Sequence, residues 1–173
     1  DGSMPFSALV RQAHAMGYTE PDPRDDLSGM DVGRKTVILA RELGSKVEVS
    51  DVPIQSLVPS ALEECTLAEF LDRLEELDPI IEETYRTAQK RGEVLRYVGT
   101  VNSEGECQAH LGSFGPDHPF AQATGTDNVI CFVTDRYESQ PLVIKGPGAG
   151  REVTAGGVFS DILRLSSYLG ARI

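Results

Sequence analysis

Positive charge is scarce in this chain. Sixteen Lys and Arg stand against 27 Asp and Glu in 173 residues, a net charge of −11. That balance excludes a nucleic-acid or anionic-membrane surface, which needs a basic patch. Long apolar runs are also missing; none approaches the roughly 20 residues that span a bilayer. The start, DGSMPFSALV, has neither a basic n-region nor an apolar h-region, so no signal peptide is expected there and a cytoplasmic location is. Cysteine occurs only at Cys65, Cys107 and Cys131, odd in number, widely spaced and without a CxxC pair. A structural zinc site is therefore not expected, and free thiols in a reducing compartment are. Cys107 and His110 are neighbours, but three apart in a predicted strand puts them on opposite faces, which discounts a Cys–His nucleophile. His14, His110 and His118 do not cluster with acids at ligand spacing, so no metal is expected. No internal repeat or low-complexity segment occurs.

What is present suits one soluble domain with its own core: 40% hydrophobic and 25% charged residues. Pro5 to Met16 reads as a helix with an apolar stripe of Phe6, Leu9, Val10 and Ala13, closed by Gly17. Pro21 and Pro23 make Tyr18–Leu27 a loop. Ser28 to Leu43 reads as a second helix, with Ser28 and Asp31 resembling a capping box and Gly44 ending it. Pro53 and Pro59 leave only connectors or short strands between Val47 and Val58. Thr66 caps a helix through Leu77. Asp78 at the cap and Pro79 at the first position start another, which runs to about Arg91.

The character then changes. Val94–Val101 and Glu106–Leu111 read as strands joined by the turn Asn102–Gly105. Asn128–Thr134 and Pro141–Lys145 are rich in β-formers. A glycine cluster, GPGAG at 146–150, precedes a last helix from about Thr154 to Leu169. Helices first, then antiparallel strands, then one closing helix predict an α+β fold, with helices on one face of a mostly antiparallel sheet. The alternation of a doubly wound sheet is absent.

Two constellations could carry chemistry. Residues 17–35, GYTEPDPRDDLSGMDVGRK, pack five acids and three bases around a proline-broken loop and the helix after it. Glu20, Asp22, Asp25 and Asp26 repel one another unless a cation compensates, and a bound ammonium group, Arg24 or Arg34 would each do so. Asp31 and Lys35 are four apart and share a helix face. Alone, that spacing describes a common surface ion pair. Beside the acid loop it also describes a lysine that moves a proton. The second constellation is GPGAG before a helix, where backbone N–H groups can meet an anion. Its spacing is not GxGxxG and no βαβ unit follows, so a plain tight turn is the competing reading. Gly33-Arg34-Lys35-Thr36 does not satisfy the phosphate-binding G-x-x-x-x-G-K-[ST] pattern and falls inside a predicted helix.

The run at 17–35, LRYVG at 95–99 and GPGAGREVTAGGVFSDIL at 146–163 together resemble the catalytic domain of homoserine dehydrogenase. They are most similar to the C-terminal part of bifunctional aspartokinase/homoserine dehydrogenases. The resemblance covers all 173 residues and implies interconversion of L-homoserine and L-aspartate 4-semialdehyde with NAD or NADP, in threonine, methionine and isoleucine biosynthesis. It implies Lys35 as acid/base with Asp31 beside it, and Glu20, Asp26 and Tyr18 as substrate-binding. It implies Gly150, Gly148, Ala149 and Thr154 near the cofactor, and a homodimer or higher homo-oligomer. The family's Rossmann nucleotide-binding domain is not in this sequence, so residues 1–173 are expected to be a catalytic and dimerisation domain with little activity alone. The last helix would then offer Val158, Ile162, Leu165 and Leu169 to that domain, and this face is expected to be covered by another chain or by rearrangement. Gly33, where the family often has alanine, is expected to cost only a little helix stability. The competing class is a non-catalytic amino-acid-binding or oligomerisation module.

Overall fold

The computed structural model describes residue 2 and residues 4–125, 127–148 and 150–170. The chain divides into two units, residues 1–116 and 117–173. The fold mixes helices with small antiparallel sheets. Where one mostly antiparallel sheet was expected, the described residues form a two-stranded antiparallel sheet in each unit. The segment between the hairpins, with Gly115, Pro116 and Pro119, runs as turns and coil, as residues that break a ladder should.

In the first unit α1 spans Phe6–Ala15 and closes at Gly17, whose φ of +70° suits glycine. Its N-terminus is capped from far away. Asp78 accepts from the Ser7 N–H and from the Ser7 hydroxyl, each at 2.7 Å. Asp78 thus serves α1 and not, as expected, its own helix α5 (Asp78–Lys90), which begins after Leu77 without a side-chain cap. The loop expected over Tyr18–Leu27 contains a short helix, α2 (Pro23–Leu27), with Asp22 accepting from the Arg24 N–H at 3.0 Å. Pro23 does not exclude it, because a proline at the first helical position loses no hydrogen bond.

The following helix, α3 (Met30–Glu42), starts at Gly29 in the left-handed conformation (φ +73°), not at Ser28. The Ser28 hydroxyl accepts from the Met30 N–H at 3.2 Å, and Asp31 pairs with Lys35 in place of a capping box. A capping box does form at Thr66 and Glu69, where α4 (Leu67–Asp72) begins. The helix expected through Leu77 breaks at Arg73 and resumes as a 3₁₀ turn, Leu74–Leu77. Three residues per turn align Leu74 and Leu77 on one line, and both are fully buried.

Strands β1 (Val94–Val101) and β2 (Cys107–Phe114) form the first hairpin, with Val98 opposite His110. Asn102 closes its turn, its side-chain oxygen accepting from the Glu104 and Glu106 N–H groups. Ile54 adds a parallel bridge at Ala109. Helix α3 lies on both strands. One core gathers Val10, Val58, Leu62, Phe70, Leu74 and Leu77. A second gathers Val37, Ala40, Val52 and Cys107 beneath α3.

The second unit holds β3 (Asp127–Phe132), antiparallel to β4 (Leu142–Pro147), then α6 (Arg151–Tyr168). Lys145 ties the unit together, reaching Asp127 at 3.1 Å and the Gln122 carbonyl at 2.9 Å. None of its described residues is buried. On α6, Val158, Phe159, Ile162 and Leu165 are each more than half exposed, and Leu169 just beyond it is 78% exposed. No helix among the described residues is long and apolar enough to cross a membrane.

Candidate functional site

The acid loop resolves into named partners. Arg24 grips Asp22 with Nε at 3.0 and 3.1 Å and Nη2 at 2.5 Å. The guanidinium beside it holds the Asp22 carboxyl below its ordinary range, and Asp22 in turn holds the Arg24 proton more tightly. Asp26, on α2, accepts from the Glu20 N–H at 2.9 Å, which leaves the exposed Glu20 carboxylate facing solvent. Thr19 steadies the same turn, its hydroxyl donating to the Glu20 carbonyl at 2.8 Å and meeting His14 Nδ1 at 3.0 Å. Tyr18 is 75% exposed at the loop's start.

Lys35 and Asp31 pair at 2.8 Å near the start of α3, with side chains 61% and 68% exposed. Three close approaches seat that helix. A Cβ on Gly29 would run into the Tyr97 hydroxyl, one on Gly33 into the Ile54 side chain, and one on Gly99 into Thr36. Gly33 is therefore more than a weak point in a helix, because Ile54 occupies the space of the missing methyl group. Tyr97, from the LRYVG segment, donates to the Gln55 carbonyl at 2.6 Å, and burial pushes its hydroxyl pKa up.

The structure thus brings Glu20 to Asp26 and Lys35 to Asp31. No hydrogen bond or ion pair among the described residues joins the two pairs. An open groove in this unit is lined instead by Asp22, Arg24, Asp25, Ser28, Ile54 and Ser56, among others, and by none of the five residues assigned to substrate or catalysis. The tie of Arg24 to Asp22 and to the core beneath was not foreseen from the sequence beyond the need for a compensating cation.

In the second unit, Gly150 begins α6 with φ +129°, open only to glycine, and its carbonyl accepts from the Thr154 N–H at 3.0 Å. Gly150, Arg151, Thr154 and Ala155 line a shallow recess there. Gly148 has a different reason to lack a side chain: Asn128 fills the position of its Cβ. Ala149 lies outside the described residues. No group of three His, Cys, Asp or Glu residues among those described is placed to hold a metal ion. Burial pushes the Cys107 and Cys131 thiols up, which suits packing and not nucleophilic work.

A family model described as homoserine dehydrogenase matches residues 1–163. A maize protein named bifunctional aspartokinase/homoserine dehydrogenase 1, chloroplastic, is 56% identical over 173 residues, covering 99% of this chain and 19% of the relative. The homoserine dehydrogenase of Paracoccidioides brasiliensis is 45% identical over 95% of this chain and 45% of its own length. Among solved structures, a Candida auris protein of unknown function superposes with a TM-score of 0.90 at 43% identity, over 96% of this chain and 47% of that one. A putative homoserine dehydrogenase from Archaeoglobus fulgidus gives 0.73 at 26%, over 95% and 44%. The chain spans less than half of each of these proteins. With one family's model running through 163 residues and relatives identical at over half of the aligned positions, the chain belongs to the homoserine dehydrogenase family.

Proposed function

We propose that this chain is the substrate-binding and catalytic part of an NAD(P)-dependent homoserine dehydrogenase that interconverts L-homoserine and L-aspartate 4-semialdehyde. The observation that carries the reading is the Lys35–Asp31 pair, 2.8 Å apart and open to solvent at the start of α3, in the unit that also presents Glu20 and Asp26. Glu20 binds the substrate ammonium group, a full charge matched by a full charge. Asp26 orients Glu20 by holding its backbone N–H. Lys35 handles the proton: it takes the hydroxyl proton as homoserine is oxidised and returns it to the forming alkoxide in the reverse direction. Asp31 fixes the direction in which the lysine points. Tyr18 lines the approach to the amino-group site.

The turn before α6 fits a nicotinamide cofactor, because Gly150 brings bare backbone to a helix N-terminus and Thr154 adds a hydroxyl one turn on. The family resemblance adds Gly148 and Ala149 to the cofactor-binding residues. The cofactor, NAD or NADP, supplies the hydride acceptor at C4 of its ring. The apolar face of α6 packs on the nucleotide-binding domain of the longer protein, and the whole assembles as a homodimer. We place it in the cytoplasm, where Cys65, Cys107 and Cys131 stay reduced; the maize relative is chloroplastic by name. Family membership favours this reading over a non-catalytic amino-acid-binding or oligomerisation module.

The test is homoserine-dependent NADP reduction in the parent protein with its nucleotide domain. Lys35→Ala should lower kcat by about 10²–10⁴-fold, the usual worth of a positioned acid/base, with the fold intact by circular dichroism. Near-normal turnover would remove Lys35 from the mechanism.

A further inference from the structure

We propose that Arg24, acting through Asp22, is the positioning residue of the amino-group site. It touches no substrate; it fixes where Glu20 and Asp26 stand. The inference rests on the reading of that site given above. Asp26 lies on α2, a helix of only five residues. So short a helix does not hold its own shape in water, so its place must come from outside. Its cap is Asp22, and Asp22 is held by the Arg24 fork. The remaining nitrogen of that guanidinium, Nη1, reaches three carbonyls: Cys65 at 2.7 Å, Glu63 at 3.0 Å and Leu62 at 3.3 Å. The guanidinium lies over the Phe70 ring, 5.4 Å from its centre. Leu62 and Phe70 are fully buried. A continuous set of contacts therefore runs from the core through Arg24 and Asp22 to α2, then from Asp26 to the Glu20 N–H.

Two consequences follow from the donor count. An arginine in an acid loop is a natural candidate to bind a substrate carboxylate, but here every nitrogen of the guanidinium already has an acceptor. Asp22 is likewise neutralised, so the charge left for an ammonium group comes from Glu20, Asp25 and Asp26. Lysine cannot substitute, since one ammonium group cannot fork onto a carboxylate and also span three carbonyls.

The experiment uses the parent enzyme and compares wild type, Arg24→Lys, Asp22→Asn and Glu20→Gln for homoserine KM, NADP KM and kcat, with Tm alongside. Arg24→Lys is expected to raise homoserine KM about tenfold, with NADP KM within about twofold of wild type, the signature of lost substrate positioning. Asp22→Asn keeps the acceptor for the Arg24 N–H while removing the charge, and should move homoserine KM in the same direction. It carries the test if Arg24→Lys does not fold. A lowered Tm with both KM values unchanged, in either variant, would reduce Arg24 to a stabilising residue and overturn the proposal. Glu20→Gln separates the two layers. If it raises homoserine KM while the other two do not, the positioning role alone fails. If Glu20→Gln itself leaves homoserine KM unchanged, the amino-group site is misassigned and the role falls with it.

Discussion

Residues 1–116 and 117–173 bury their apolar side chains to very different degrees. The first unit has two buried clusters, with Leu62, Phe70 and Leu74 at 0% exposure. The second has a hairpin and a helix of eighteen residues, and none of its described residues is buried. Both have ordinary hydrogen-bonded backbones, so the difference lies in packing. The acid loop and Lys35 belong to the unit that builds its own core. The glycine turn belongs to the unit that presents its apolar side chains outward, as a segment designed to be covered would.

A matched pair of truncations in urea unfolding of residues 1–173 separates the two units by the largest margin. Leu74→Ala should cost about 2–5 kcal/mol, the range for a filled core position. Ile162→Ala should stay within about 0.5 kcal/mol, as for an exposed site. Equal costs would show that α6 is packed after all. Next in size is Gly29→Ala, which forces a left-handed φ on an L-residue and drives a methyl group into Tyr97. A loss of roughly 1–3 kcal/mol is expected, read as a fall in the urea midpoint. No change would mean that α3 is not seated as described.

The smallest effect concerns acid stability. Asp22 has its folded pKa lowered from 3.8, mainly by the Arg24 hydrogen bonds. Its contribution is therefore fully present above the unfolded value of 3.8 and is lost as pH falls through the lower folded value. Below about pH 4, wild type should lose stability more steeply than Asp22→Asn, with the two curves converging toward acid. Parallel curves would mean that the pair contributes nothing to folding.

Much of this was legible in the sequence where the signal is local. Gly17, Pro79, the Thr66 cap and the Asn102–Gly105 turn mark real boundaries, because each acts on its own few residues. The Asp31–Lys35 pair was legible for the same reason: four positions on a helix are one turn. What could not be read depends on distant partners. Ser28 looked like the cap of α3, yet Gly29 takes that place because Tyr97, from a strand 68 positions on, leaves room for no side chain. Nothing near Arg24 announces the carbonyls of Leu62, Glu63 and Cys65. The role of Gly148 depends on Asn128, twenty positions earlier. The single sheet was misjudged because strand propensity does not say which strands pair.

The contact between Ser7 and Asp78 sets an order of events. The N–H near the start of α1 finds its acceptor 71 positions later. While the chain is being made, α1 leaves the ribosome before α5, when the group that caps it is not yet translated. Helix α1 is thus completed only by the arrival of α5. Its local code says where it begins, and a long-range contact decides when it does.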